Sequence, residues 1–370
     1  MNDRKHIPYI DLISQHSSIK EQILAAVEEV LDHSQFIQGE EVTAFEEAFA
    51  SLCEVQFAVG VNSGTDGLIL ALRVLGIGAG DEVITAPNSF IASSSCISWV
   101  GARPVFVDVK EDYNIDPAQI EDKITTRTKA ILPIHLTGRP ADMQTIVEIA
   151  KRHNLYVIED CSQAVSAEYY SECVGSFGTV GAFSLHPLKT LNACGDSGII
   201  TTDDVDIYQE LLLLRNHGLR SRDDCVTWGF NSRLDSVQAA ILLIKMDYLD
   251  LWTNKRISNA KYYQKELSEV DAIKLPKDKP YEKAVYHTFV IEMDNRDALR
   301  SYLLEHGIET SIHYPVPIHL QVAAKDLGYK RGDFPVTEKQ SERILSLPVH
   351  QNLQDDDLDH VVKTIKAFYN

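Results

Sequence analysis

The sequence predicts an α/β fold: a mostly parallel central sheet covered by helices, followed by a smaller C-terminal α+β domain. Three observations lead there. Continuously apolar runs at 82–85, 104–108, 130–134 and 155–160 read as strands buried on both faces rather than as half-exposed, alternating ones. Helical stretches separate them, Met143–His153 being the clearest. Past residue 251 the alternation gives way to a mixed pattern with a Pro- and Lys-rich loop at 275–283.

Taken in order, Ile19, Ile23, Val27, Val30 and Leu31 recur at helical spacing, and Val42, Phe45 and Phe49 mark a second helix. Val59-Gly60-Val61 is a short strand running into Asn62-Ser63-Gly64-Thr65-Asp66-Gly67, after which Leu68, Leu72 and Leu75 continue as a helix. Helical patterning returns from Ser236 to about Leu251, and a boundary is expected at 252–258. Residues 286–291 read as a strand, 298–305 as a helix stopped by His306-Gly307, and 356–367 as the last helix. The expected division is a large domain over 1–250 and a small one over 251–370, with the N-terminal helices of about 1–50 packed on the small domain.

Composition excludes several classes. Among 370 residues, 35 Lys+Arg stand against 54 Asp+Glu, a net charge of −19, which argues against a basic field for nucleic acid. With 44% hydrophobic and 24% charged residues the chain is globular rather than disordered. No apolar run approaches the ~20 residues of a bilayer span, so no membrane partner is expected. The start, Met1-Asn2-Asp3-Arg4-Lys5-His6-Ile7-Pro8, lacks the apolar stretch of a secretory signal. Cys53, Cys96, Cys161, Cys173, Cys194 and Cys225 form no CxxC, and they read as reduced thiols of a cytoplasmic protein.

Three segments carry chemistry. Ser63-Gly64-Thr65-Asp66-Gly67 places free N–H groups at a helix start, where an anion is favoured; by itself it fits an ordinary capped turn equally well. Asp160 stands at the end of an apolar strand, where open α/β sheets bind ligands; alone it reads as a helix cap. Lys189 follows the run Gly181-Ala182-Phe183-Ser184-Leu185-His186-Pro187-Leu188; a lone loop lysine is ordinarily a solvated one. A phosphate cradle, a strand-end Asp and a loop Lys, in that order, are what a pyridoxal 5'-phosphate enzyme needs. The Lys forms the Schiff base and the Asp keeps the pyridine nitrogen protonated.

Here the sequence resembles the DegT/DnrJ/EryC1/StrS family of sugar aminotransferases, enzymes of the pyridoxal-phosphate-dependent fold type I. The resemblance covers nearly the whole chain. Besides the three segments, its markers are Gly101-Ala102-Arg103-Pro104-Val105-Phe106-Val107-Asp108, Ile158-Glu159-Asp160-Cys161-Ser162-Gln163-Ala164, Arg215-Asn216-His217-Gly218, Gly229-Phe230-Asn231-Ser232-Arg233-Leu234-Asp235 and His313-Tyr314-Pro315-Val316-Pro317-Ile318-His319. It implies that Lys189 bonds the cofactor, Asp160 pairs with the pyridine nitrogen, Gln163 lies on the phenolic side of the ring and Phe90 stacks on it. Gly64, Thr65, Asp66 and Ser184 would line the phosphate. Asn231 would reach the phosphate of a partner subunit, making a homodimer with shared sites. His186, Arg220, Arg222, Arg233, His313 and Tyr314 are the substrate-side candidates. Two departures stand out: the usual Gly-Glu-Gly-Gly is Gly195-Asp196-Ser197-Gly198, and Glu168-Tyr169-Tyr170-Ser171-Glu172-Cys173 replaces a smaller, more basic loop.

The implied reaction moves an amino group from L-glutamate to a keto sugar, with the cofactor passing through pyridoxamine phosphate. Lys189 would act as general base and would need a depressed pKa. The segment Asn231-Ser232-Arg233-Leu234-Asp235 resembles that of family members acting on 3-keto sugars more than the Tyr-Arg version frequent in 4-keto enzymes, which implies a nucleotide-linked 3-keto acceptor. Rival readings are a sugar dehydratase, which carries His at the lysine position, an aminotransferase for a cyclitol or other non-sugar ketone, and a non-catalytic regulatory homologue. His313 and His319 lack nearby carboxylates in sequence, and no metal is expected.

Overall fold

The computed structural model describes residues 5–370; Met1 to Arg4, part of the stretch read for a secretory signal, lie outside the described residues. Three helices lead the chain: α1 (Leu12–Ser17), α2 (Lys20–His33) and α3 (Glu40–Leu52). Strands and helices then alternate through β1 (Phe57–Val61), α4 (Gly64–Val74), β2 (Glu82–Thr85), α5 (Ala92–Trp99), β3 (Arg103–Phe106), β4 (Thr128–Ile131), α6 (Met143–His153) and β5 (Tyr156–Asp160). The short β6 (Glu168–Tyr169) and β7 (Glu172–Cys173) precede β8 (Val180–Ser184), β9 (Gly198–Thr202) and α7 (Val205–Leu214). Next come a hairpin, β10 (Leu219–Ser221) and β11 (Asp224–Cys225), then α8 (Ser236–Met246) and α9 (Leu249–Glu266). The C-terminal part holds β12 (Glu282–Lys283), β13 (Phe289–Glu292), α10 (Arg296–Glu305), α11 (Pro335–Arg343), β14 (Ile344–Leu347) and α12 (Asp355–Tyr369).

Seven strands form the central sheet in the order β1-β9-β8-β5-β4-β2-β3. From β8 to β3 every pairing is parallel; β9 runs against both of its neighbours. The sheet is therefore mostly parallel, as its apolar strands predict. One core gathers Val83, Ile84, Ala130, Ile131, Val157 and Ile158 under Leu68 and Leu72 of α4 and Ile146 and Ile149 of α6. Burying side chains of this size contributes roughly 1.5–3 kcal/mol each. α6 spans the expected residues because Asp142 caps it, accepting from Thr145 N–H, and Asn154 ends it at φ +54°.

Several boundaries differ from expectation. The run at 104–108 ends as strand at Phe106, because Asp108 turns out to accept from the Val336 and Thr337 N–H groups, capping α11. The run at 130–134 is interrupted by Pro133, which has no N–H to extend the ladder, and Ile134 rejoins only as a bridge to Asp160. The strand expected from Tyr286 starts at Phe289, since Tyr286 sits at φ +51°.

No break occurs at 252–258: α9 runs through it, with Trp252, Arg256, Asn259 and Tyr263 buried along one face. Nor do α2 and α3 pack on the C-terminal part. Phe45 and Phe49 of α3 join Phe183, Leu234, Ala239 and Leu242 in a second core, because their stripe faces α8 and β1. Only the segment before α1 crosses over. Ile7 pairs with Ile308, Tyr9 N–H donates to Glu309, and the Pro8 and Asp11 carbonyls face His350 and Asn352. No helix among the described residues is long and apolar enough to cross a membrane.

The departing loop is a brace. Tyr170 and Ser171 take positive φ (51° and 67°), turning β6 into β7. β12 adds as a third strand, and Tyr170 stacks on Tyr281 at 4.8 Å. No part of this loop lines the cavity described next.

Candidate active site

The carboxyl ends of β5 and β8 and the start of α4 converge on a cavity of about 530 Å³. It brings together ten of the residues singled out by sequence: Gly64, Thr65, Phe90, Asp160, Gln163, Ser184, His186, Lys189, His313 and Tyr314. A second cleft, of about 600 Å³, lies beyond Thr137 and contains none of them.

The α4 end is built for an anion. Ser63 caps the helix, accepting from Asp66 N–H at 3.1 Å. The N–H groups of Gly64 and Thr65 donate to no described group, so they are free for a ligand. Small residues make the seat. A Cβ on Gly64 would lie 2.6 Å from Ser184 Cβ, and one on Gly198 would lie 2.5 Å from the Ser63 carbonyl carbon. Only glycine lets the helix start meet β8 and β9 this closely.

Asp160 is buried at the end of β5. Its Oδ2 accepts from Ser93 Oγ at 2.7 Å and its Oδ1 from Ser162 N–H at 3.1 Å. Neighbouring Glu159 points the other way. It accepts from the N–H groups of Gly175, Phe177 and Gly178 and from His135 Nε2 at 3.0 Å. His135 Nδ1 takes the Ala141 N–H, which fixes the proton on Nε2. One carboxylate is thus spent on the loop, and the other faces the cavity.

Lys189 lies in the turn between β8 and β9, and its Nζ makes no hydrogen bond or ion pair to a described residue. Burial pulls the amine down from 10.5 to about 8, against the opposing attraction of Asp160. The expected depression is therefore present, with desolvation as its cause. His287 and His313 also face Lys189, and burial reinforced by that cation holds both below the ordinary imidazole value, His313 at about 4. Tyr314 is pushed up to about 12 by burial and by Asp160. Its hydroxyl accepts from Gln163 Nε2 at 3.4 Å, while Gln163 Oε1 takes the Thr137 N–H. The Phe90 ring stands at the cavity edge, 6.0 Å from Tyr314.

Five predicted residues lie elsewhere in the chain, as does His319, which was weighed as a metal ligand. Asp66 turns its carboxylate to Ser232 Oγ, 2.8 Å away. Arg233 donates to Asn216 Oδ1 at 3.0 Å, and Asn231 bridges to Asn216 on the surface. Arg220, paired with Asp224 at 3.5 Å, and Arg222 are exposed on the β10–β11 hairpin. His319 sits under α11 against Glu338 at 3.1 Å, so a carboxylate is near it after all, through folding rather than sequence. Conversely, Ser89, Ser93, Tyr9, His287 and Ser311 line the cavity without having been singled out. None of them carried a local signal; Ser93 is one of three consecutive serines in α5.

The donor set fits a phosphorylated pyridine aldehyde. Free N–H groups await the phosphate, a buried carboxylate awaits a ring nitrogen, and an unpaired amine awaits the carbonyl carbon.

Comparison with known proteins agrees with this chemistry. Residues 17–366 match the model of the DegT/DnrJ/EryC1/StrS aminotransferase family. A Geobacillus stearothermophilus protein named pleiotropic regulatory protein is 41% identical over 98% of this chain and 99% of its own. The dTDP-3-amino-3,4,6-trideoxy-alpha-D-glucose transaminase of Streptomyces venezuelae is 41% identical over 98% of this chain and 96% of its own. The UDP-N-acetyl-3-dehydro-alpha-D-glucosamine 3-aminotransferase of Acidithiobacillus ferrooxidans is 40% identical over 99% of both chains. Among solved structures, S. venezuelae DesV superposes with a TM-score of 0.97, at 40% identity and 99% coverage of both chains.

Proposed function

Because the chain belongs to the DegT/DnrJ/EryC1/StrS aminotransferase family of pyridoxal-phosphate-dependent enzymes, we propose that it transfers the amino group of L-glutamate to a nucleotide-linked keto sugar, with ring carbon 3 the favoured position. The carrying observation is the unpaired Lys189 amine in one cavity with Asp160 and the free Gly64 and Thr65 N–H groups. The 3-position rests on the Asn231-Ser232-Arg233 segment and on the names of the S. venezuelae and A. ferrooxidans relatives.

When bound, the coenzyme supplies the electron sink that stabilises negative charge at the donor's α-carbon. In this reading the α4 start binds the phosphate, with Ser184 beside it. Asp160 holds a proton on the ring nitrogen, and its Ser93 and Ser162 contacts keep it aimed. Phe90 and Gln163 orient the ring. Lys189 takes the α-proton at Nζ and returns it on the coenzyme side; an amine near pKa 8 suits both duties near neutral pH. Neutral His287 and His313 leave that amine the principal base on their side of the cavity.

The site is completed, in this proposal, by a second copy. Leu24 and Leu31 of α2 are each 56% exposed, and Ile13, Trp228 and Phe230 are exposed as well. Such apolar side chains support an interface between copies. Asn231, Arg220 and Arg222, outside their own cavity, would serve the partner's. We further place the domain division near residue 250, with the Ile7–Asp11 strap belonging to the C-terminal unit, and the protein in the cytoplasm, on its free thiols.

The test is direct. The purified chain should take up pyridoxal phosphate with a visible band, glutamate should bleach it, and borohydride should fix the coenzyme on Lys189. The pyridoxamine-loaded enzyme is then offered 3-keto and 4-keto nucleotide sugars and a cyclitol ketone. No turnover with any acceptor would favour the regulatory reading, which the first-named relative invites.

A further inference from the structure

Lys245, in the last turn of α8, is 0% exposed, and no described carboxylate pairs with it. Leaving a cation buried without a counter-ion is unfavourable unless its three donors are all satisfied. Here they are. Nζ donates to the Asn192 carbonyl at 2.8 Å and to Asn192 Oδ1 at 2.6 Å, and meets His16 Nε2 at 2.9 Å. Cys194 Sγ lies farther off, at 3.9 Å.

The other half of Asn192 points to the active site. Its Nδ2 donates to the carbonyl of Lys189 at 2.8 Å and to Gln15 Oε1 at 3.4 Å. The turn is closed behind it by Ala193 N–H to Leu185 O at 2.8 Å. A single buried ammonium thereby fixes the side chain that grips the backbone of the cavity's one free amine. Lys245 itself does not line the cavity.

We infer that Lys245 is a positioning residue for Lys189, acting through Asn192. The inference rests on the reading of Lys189 as the coenzyme-bonding base. It explains why a costly buried cation occupies a place where an apolar side chain would pack.

The test follows the pH titration of the holoenzyme's visible band, which reports protonation where Lys189 joins the coenzyme. The titratable groups facing Lys189 are Asp160, His287 and His313, none of them on α8 or the Asn192 turn. A shift that a charge-neutral change at residue 192 reproduces therefore travels through geometry. Lys245→Met, close in volume, should move the midpoint by about half a pH unit or more and lower kcat about tenfold, with the glutamate KM little changed. Asn192→Leu, near in volume and changing no charge, loses the donor to Lys189 and should shift the titration in the same way. Leu242→Ala, a core change on the same helix, should lower Tm and leave the midpoint in place. A wild-type midpoint in Lys245→Met despite a lower Tm would overturn the inference. If that variant fails to fold, a wild-type midpoint in Asn192→Leu overturns it alone. Borohydride fixing the coenzyme on another lysine of the wild type would instead sink the reading of the site.

Discussion

Ser93 Oγ stands 2.7 Å from Oδ2 of Asp160 and 2.8 Å from Ser89 Oγ. The cavity carboxylate is thus held from helix α5 as well as from its own strand, and the orientation of α5 becomes part of the chemistry.

Ser93→Ala removes one of the two side-chain-directed donors to that carboxylate. A hydrogen bond to a buried charge contributes roughly 1.5–3 kcal/mol. The expected result is a drop in kcat/KM of about ten- to a hundredfold, with Tm lowered by about a few degrees. Steady-state kinetics and calorimetry on the same preparation check it; full activity would show that Ser162 suffices.

Reconstitution should follow the ionisation of Lys189. Only the neutral amine attacks a carbonyl carbon, so the rate at which coenzyme-free protein takes up pyridoxal phosphate should rise through pH 8 and level off above. Stability carries the matching sign. Because the folded value lies below the unfolded one, the unfolded chain binds more protons between about pH 8 and 10.5, and this group's contribution grows with pH there. Stopped-flow absorbance across pH decides the matter. A rate still climbing beyond pH 9.5 would place the amine near its ordinary value.

Gly198→Ala should damage phosphate binding first. The added Cβ meets Ser63 and Gly64 backbone at 2.5–2.7 Å, atoms that cannot yield as a side-chain tip would. Overpacking of this kind costs about 1–3 kcal/mol. We expect the Kd for pyridoxal phosphate, from equilibrium dialysis, to rise about tenfold or more, while donor specificity is kept.

Aspartates at Leu24 and Leu31 should separate the proposed dimer. Both side chains are exposed on one helix, and neither lines the cavity. Sedimentation should show the double variant as a monomer with most transferase activity lost. An active monomer would remove Asn231, Arg220 and Arg222 from the site.

Much of this was readable in the chain because the signals are local. The apolar strands, the Asp142–Asn154 limits of α6, the glycine-lined turn at Gly64 and the placement of Asp160 and Lys189 all follow from residues within a few positions of one another. What escaped is what folding alone brings together. Ser93 stands in a run of three serines, and only its distance from Asp160, 67 positions on, sets it apart. Tyr9 reaches the cavity because Ile7 pairs with Ile308, a partner no periodicity announces. The helix through 252–258 was hidden for a different reason: its buried face carries Arg256 and Asn259, polar residues that blur an apolar stripe. Asp66 shows the reverse error, a motif residue whose side chain a hydroxyl from Ser232 draws outward.

The strap at Ile7–Asp11 has a bearing on biogenesis. Tyr9 and Ile10 wall the cavity, yet the strap's anchors at Ile308, Glu309, His350 and Asn352 are synthesised 300 residues or more after it. A nascent chain can fold its sheet and still lack a closed pocket until those later anchors have been made.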